Sequence, residues 1–146
     1  MAVLIDTNIL ARSVQPHHPH APAAESAIAA LTVQREAMVI AVQNIVEFWA
    51  VATRPQAHNG LGLSTDAAWR EIARFKSLFG LLPETNGVFF EWERLVREYR
   101  VSGKNAHDAR LVAAMIVNGV DRILTFNTAD FSRFSEIQVL DPQSFA

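Results

Sequence analysis

Three short runs constrain this chain more than anything else in it: AVLI at residues 2 to 5, MVIAV at 38 to 42 and RILTF at 122 to 126. None alternates apolar with polar residues as a half-exposed strand does, so each reads as a strand buried on both faces. LFGLL (78 to 82) and IQVL (137 to 140) are weaker runs of the same kind. Helical stretches lie between them: TNILARSV, APAAESAIAALTVQRE, QNIVEFWAVATR, STDAAWREIARFKSLFG capped by Ser64, and NGVFFEWERLVREYRVSG. In the last of these Val88, Phe89, Trp92, Leu95, Val96 and Tyr99 recur at helical spacing. NAHDARLVAAMIVNG follows, with Asn105 as its expected cap and Gly119 as its stop; almost wholly apolar after Arg110, it is expected to be deeply buried. QPHHPHAP (15 to 22) and RPQAHNGLGLS (54 to 64) read as loops. Strands that alternate with helices need crossover connections. The expectation is therefore one α/β domain over residues 1 to 146, with a central, mainly parallel sheet and helices on both faces.

Composition narrows the class further. The chain has 146 residues, 50% of them hydrophobic, which suffices for one sizeable core. Its apolar runs are broken well before the roughly 18 residues of a membrane span, and no charged leader with a cleavage site precedes AVLI. A cytoplasmic protein without a membrane segment is expected. With no cysteine, disulfides, thiolate metal sites and thiol nucleophiles are excluded together. A formal charge of −2 is not the footprint of bulk electrostatic binding to nucleic acid. Arg94, Arg97, Arg100, Lys104 and Arg110 do crowd one segment, but Glu91, Glu93 and Glu98 interleave with them, as on a solvated helix face.

The acids carry the functional signal. Asp6 closes the first strand, Glu47 lies about one helical turn beyond the second, and Asn127 and Asp130 follow RILTF directly. In a parallel sheet all these groups emerge at one edge, the carboxyl end of the strands, where ligands bind. Asp108 arrives from the first turn of the late apolar helix, on the face it shares with Leu111, Val112 and Met115. Each acid also has a purely structural role open to it. Asp6 and Asp108 suit helix starts, Glu47 fits a polar stripe with Gln43 and Arg54, and Asp130 suits a turn. Convergence is what separates the two readings. Carboxylates about 4 Å apart repel by up to about 4 kcal/mol per pair at an effective dielectric near 20. Either some are protonated or a cation lies among them, and an all-oxygen set suits Mg²⁺ or Mn²⁺. An ion so held suits phosphodiester hydrolysis.

LIDTNIL, NIVEFWAV, HDARLVAAMI and ILTFNTADFSRF, in this order and in so short a chain, resemble the PIN-domain ribonucleases, and among them the VapC-type toxins of toxin–antitoxin pairs. The resemblance implies a PIN-like fold and an endoribonuclease in which Asp6 and Asp108 are the principal magnesium ligands, with manganese as the alternative. Glu47 would complete the catalytic acids, holding a water or a second ion, and a metal-activated water would attack the RNA. Asn127 departs from the pattern, since many relatives carry an acid there, and Asp130 is the compensating candidate. Thr7, Asn8 and Thr125 would orient the acids, and Arg12, Arg54, Lys104 and Arg110 are the candidate contacts to substrate RNA. A cognate small antitoxin, a homodimer and a higher toxin–antitoxin assembly are the implied partners. Trp49, Trp69, Phe79 and Trp92 would suit the antitoxin's groove if exposed, though such aromatics also suit a core.

Other readings have less behind them. HHPH (17 to 20) lacks the helical pairing of a metal site and reads as a polar loop near the groove, and His107 either caps its helix or touches substrate. No phosphate-cradling glycine motif occurs. A receiver-type domain would need a phosphoacceptor Asp at the end of the third strand, paired acids after the first where DTN gives one, and a lysine after the last, and a haloacid-dehalogenase-like phosphatase would need D-x-D where DTN stands. A PIN-like module with weakened catalysis, binding RNA or protein, is the remaining alternative, with Asn127 as its mark.

Overall fold

The structure is a computed structural model that describes residues 2–145. Five strands form one parallel sheet in the order β3-β2-β1-β4-β5: β1 (Ala2–Ile5), β2 (Ala37–Ile40), β3 (Gly80–Leu81), β4 (Arg122–Leu124) and β5 (Gln138–Leu140). Seven α-helices connect them: α1 (Thr7–Ser13), α2 (Ala21–Val33), α3 (Val42–Thr53), α4 (Thr65–Leu78), α5 (Gly87–Glu98), α6 (Asn105–Val117) and α7 (Thr128–Phe131).

Successive side chains of a strand point to opposite faces, and the core divides accordingly. Val3, Ile5, Ile40 and Leu124 face one way and pack with α1 to α4. Leu4, Ala41 and Ile123 face the other and pack with α5, α6 and α7. Val3, Leu4 and Ile5 are fully buried, as expected for the central strand of a sheet covered on both sides. The run Leu111–Met115 makes α6 the most buried helix, again as its composition predicts.

The differences from expectation are local. MVIAV does not run as a strand to residue 42: pairing ends at Ile40, Ala41 becomes the N-cap residue of α3, and Val42 is already helical. RILTF likewise pairs only as far as Leu124. Asn105 lies inside α6, with Lys104 at the cap position. Phe89 does not join the core, because one helical step from the buried Val88 carries it to the solvent side, where it is 55% exposed. Of the four aromatics considered for a groove, Phe79 is buried, Trp49 and Trp92 are packed against the two cores, and Trp69 is 60% exposed. Arg94, the first residue of the basic segment, is tied to Glu91, Glu98 and Glu136.

Candidate active site

The chain leaves β1 at Asp6 and enters α1 at once. Asp6 N–H donates to the Leu124 carbonyl at 3.1 Å, which continues the ladder to β4, while its own carboxylate caps the helix by accepting from Thr7 N–H at 2.8 Å. The structural role considered for Asp6 is therefore real, and the same placement holds its second oxygen at the carboxyl end of the sheet. That oxygen accepts from the Thr125 hydroxyl at 2.8 Å. The Thr125 hydroxyl itself accepts from Asn8 Nδ2 at 3.2 Å and from Asn127 N–H at 3.0 Å. Both its lone pairs are occupied, so its one proton points to Asp6.

Glu47 is held by a second directed chain. Asn44 Nδ2 donates to Thr7 Oγ1 at 3.2 Å, and Thr7 Oγ1 donates to Glu47 Oε1 at 2.9 Å. Gln43 Nε2 lies 3.3 Å from the other Glu47 oxygen and 2.8 Å from the His107 carbonyl, linking α3 to the start of α6. Asn44 was not among the residues read from sequence as functional. It is fully buried, its Oδ1 accepts from Ala41 N–H at 2.8 Å, and its amide also stands 3.5 Å from Asp6. The available signal was an asparagine one helical turn before the buried Phe48, on a face with no other reason to be polar.

Asp6, Thr7, Asn8, Glu47, Asp108 and Asn127 line one cleft of about 700 Å³. Arg12 and Arg54 line it as well. Thr125 is buried beneath it. Lys104, Arg110 and Asp130 are not on its walls. Arg110 is engaged instead with Glu84 at 2.5 Å and with Gln43 at 3.0 Å. Asp130 and Lys104 remain near enough to act electrostatically on Asp108, with opposite signs.

Asp6 and Asp108 resist ionising. Burial, opposed by the Thr125 and Thr7 hydrogen bonds and reinforced by the charges of Glu47 and Asp108, pushes the Asp6 carboxyl up to about 6. Burial, then Asp130 and Glu47, does the same for Asp108, also to about 6. Among the described residues, no three acids or histidines already stand as a ready-made metal cluster. The donor chemistry nevertheless fits a hard divalent cation: oxygens only, contributed by two acids that make no ion pair among the described residues.

Solved structures share this fold at low sequence identity. VapBC2 from Rickettsia felis, bound to a DNA fragment from its promoter, matches with a TM-score of 0.72 at 14% identity over 97% of this chain and 98% of the other. VapBC-1 from nontypeable Haemophilus influenzae gives 0.71 at 15% identity, over 97% and 98%. A toxin–antitoxin complex from Klebsiella pneumoniae gives 0.65 at 21%, over 96% and 97%. No curated protein matches the chain by sequence. The PIN domain family model, however, matches residues 3–137, nearly the whole length, and with the sheet order and the acids now placed, the chain belongs to the PIN domain family.

Proposed function

We propose that this PIN-domain protein is a divalent-metal-dependent endoribonuclease of the VapC toxin type, acting in the cytoplasm and held in check by a cognate small antitoxin. The observation that carries the reading is the meeting of Asp6, Glu47 and Asp108, distant in sequence, on the walls of one cleft. The similar solved structures support the toxin assignment, since they are toxin–antitoxin complexes.

Asp6 and Asp108 are the residues that would hold Mg²⁺ or Mn²⁺, with Asp130 adding negative charge behind Asp108. A divalent ion there supplies charge neutralisation at a phosphodiester and lowers the cost of deprotonating water. The chain's own groups do the rest. Glu47, fixed by Thr7 and Gln43, would accept a hydrogen bond from the attacking water. The Thr125 proton and the Asn8 amide hold Asp6 in one orientation. Arg12 and Arg54 put positive charge on the same walls, where an RNA backbone needs it. A second reading, a weakened RNA- or protein-binding module, rests on Asn127, whose side chain lines the cleft at a position where many members of the family carry an acid.

The test is cleavage of total RNA by the purified chain with Mg²⁺ or Mn²⁺, against EDTA. Asp6→Asn and Asp108→Asn are each expected to lower the rate by roughly two orders of magnitude or more, with circular dichroism unchanged. Full activity in either variant overturns the assignment of the acids. No cleavage by folded, antitoxin-free protein favours the binding module.

A further inference from the structure

The HHPH loop between α1 and α2 has an ordered internal geometry that the metal-site question leaves unexplained. His18 lines the cleft with Arg12 and Asn127. Its Nδ1 accepts a hydrogen bond from His20 N–H at 3.0 Å, so the neutral ring carries its proton on Nε2. Among the described residues that N–H has no protein partner. The loop is anchored on both sides. His20 stacks on Phe126 with ring centroids 5.0 Å apart, and His18 meets His20 edge-on at 5.4 Å. Phe126 is in turn held by its N–H to Asn8 Oδ1 at 3.2 Å, beside the acids. Arg12 is oriented by Gln15 Oε1 at 2.6 Å. Burial first, then Arg12 and His20, hold the imidazole below its ordinary value, so near neutral pH it is an uncharged donor with a fixed direction.

Arg12 sits six residues along α1 from Asp6, roughly 9 Å along the helix axis. On the walls of one cleft, that spacing leaves room for two neighbouring phosphates of one strand, one at the acids and one at Arg12. Resting on the ribonuclease reading, we propose that His18 and Arg12 form a second phosphate subsite for single-stranded RNA, in which His18 Nε2–H donates to a non-bridging oxygen of the phosphate beside the scissile one. His18 is a positioning residue on this account. It fixes the register of the strand over Asp6 and Asp108 and takes no part in proton transfer.

Two substitutions separate this role from mere loop structure. Asparagine reproduces the Nδ1 acceptor, since its oxygen makes the same bond to an N–H two residues on, but it has no donor at the Nε2 position. Glutamine reproduces the Nε2 donor and not the short-range acceptor. Binding of a fluorescent single-stranded RNA of mixed sequence is measured by anisotropy in the full chain carrying Asp108→Asn, with Mg²⁺ present. His18→Asn is expected to weaken binding by roughly tenfold or more, while His18→Gln stays closer to the parent. The reverse order, or parental affinity in His18→Asn, overturns the subsite. Long-range ¹⁵N NMR on the wild type supplies a readout free of RNA: a proton on Nδ1 of His18 overturns the geometry itself. If neither cleavage nor RNA binding occurs in the wild type, the ribonuclease reading falls and the subsite with it. If RNA binds and His18→Asn binds equally well, only the subsite falls.

Discussion

At the residue scale, the site is built by threonines that each spend their single proton on an acid. Thr125 donates to Asp6 and Thr7 donates to Glu47, and each hydroxyl accepts from an asparagine. A carboxylate is thereby favoured as acceptor at both positions, yet burial works against its charge, and for Asp6 burial wins. The sign of the stability effect follows. Because the native-state value is raised from 3.8 to about 6, the folded protein prefers the protonated acid. Below pH 4 the group costs nothing; between pH 4 and 6 the cost grows; above that it is constant, at about 3 kcal/mol. Asp6→Asn removes the titration but leaves its amide facing a hydroxyl whose lone pairs are both taken. The variant is therefore offset from the wild type by an amount fixed by that mismatch, while the difference between them must change with pH. In EDTA, chemical denaturation from pH 4 to 7.5 is expected to show the variant gaining up to about 3 kcal/mol relative to wild type, almost all of it by pH 6.5. A pH-independent difference overturns the raised value for Asp6.

At the scale of elements, the cleft depends on how α3 ends. The chain leaves α3 at Arg54, makes a 3₁₀ turn at Gln56–His58 and returns against the helix it has just left. Leu61 N–H donates to Val51 O at 2.9 Å, Gly62 N–H to Arg54 O at 2.9 Å and Leu63 N–H to Ala52 O at 2.8 Å. Gly60 passes so close that a Cβ there would lie 1.9 Å from the Arg54 carbonyl oxygen. That oxygen is backbone and cannot swing aside. Gly103 is the useful contrast, with a positive φ of 61° but open space around it. Gly103→Ala is expected to cost about 1 kcal/mol in backbone strain, and Gly60→Ala about 2 kcal/mol or more. Each kcal/mol lowers the melting temperature by roughly 3 °C, so the ordering is measurable by thermal melts. Equal effects would mean that the return loop yields. This packing was hidden in the sequence, where RPQAHNGLGLS reads only as a loop. The boundary after β2 was hidden for a different reason. MVIAV is uniformly apolar, and what ends the strand is Asn44 reaching back to Ala41 N–H, a polar contact that apolar periodicity does not register. α7 spans four residues, too few for any period to show. The central strands, the long helices and the edge at which the acids gather were legible, because burial on two faces and parallel connection leave a strong pattern. Asn44 and His18 were not, since Asn44 meets Thr7 and Asp6 only through the fold, and the local turn that fixes His18 at the cleft leaves no periodic pattern.

At the scale of the whole molecule, the two-sided core leaves different surfaces on its two faces. On the α1–α4 side Trp69 is 60% exposed, while on the α5–α7 side Phe89 and Phe90 are 55% and 67% exposed, with ring centroids 5.5 Å apart. Isolated exposed apolar residues need no explanation, but adjacent phenylalanines on an otherwise charged helix mark a surface suited to a partner. α5 already buries Val88 and Leu95 and packs Trp92 inward, donating its indole N–H to the Ala106 carbonyl at 3.0 Å, so its inner face is satisfied without the two phenylalanines. A homodimer about a two-fold axis would cover such a patch with its own copy, each Phe pair meeting the other. The stable form of such a contact buries about 800 Å² per partner. Phe89→Ser with Phe90→Ser is therefore expected to convert a dimer to a monomer in sedimentation equilibrium. Neither ring belongs to the core, but Phe89 stacks on Trp92 with centroids 6.1 Å apart, so the melting temperature of the monomeric variant should move by the loss of the interface and of that one contact. It should then no longer depend on protein concentration, as that of a dimer does. A dimer that survives the double substitution would place the interface elsewhere and leave α5 free for a different partner, whereas a wild type that sediments as a monomer at every concentration would remove the homodimer altogether.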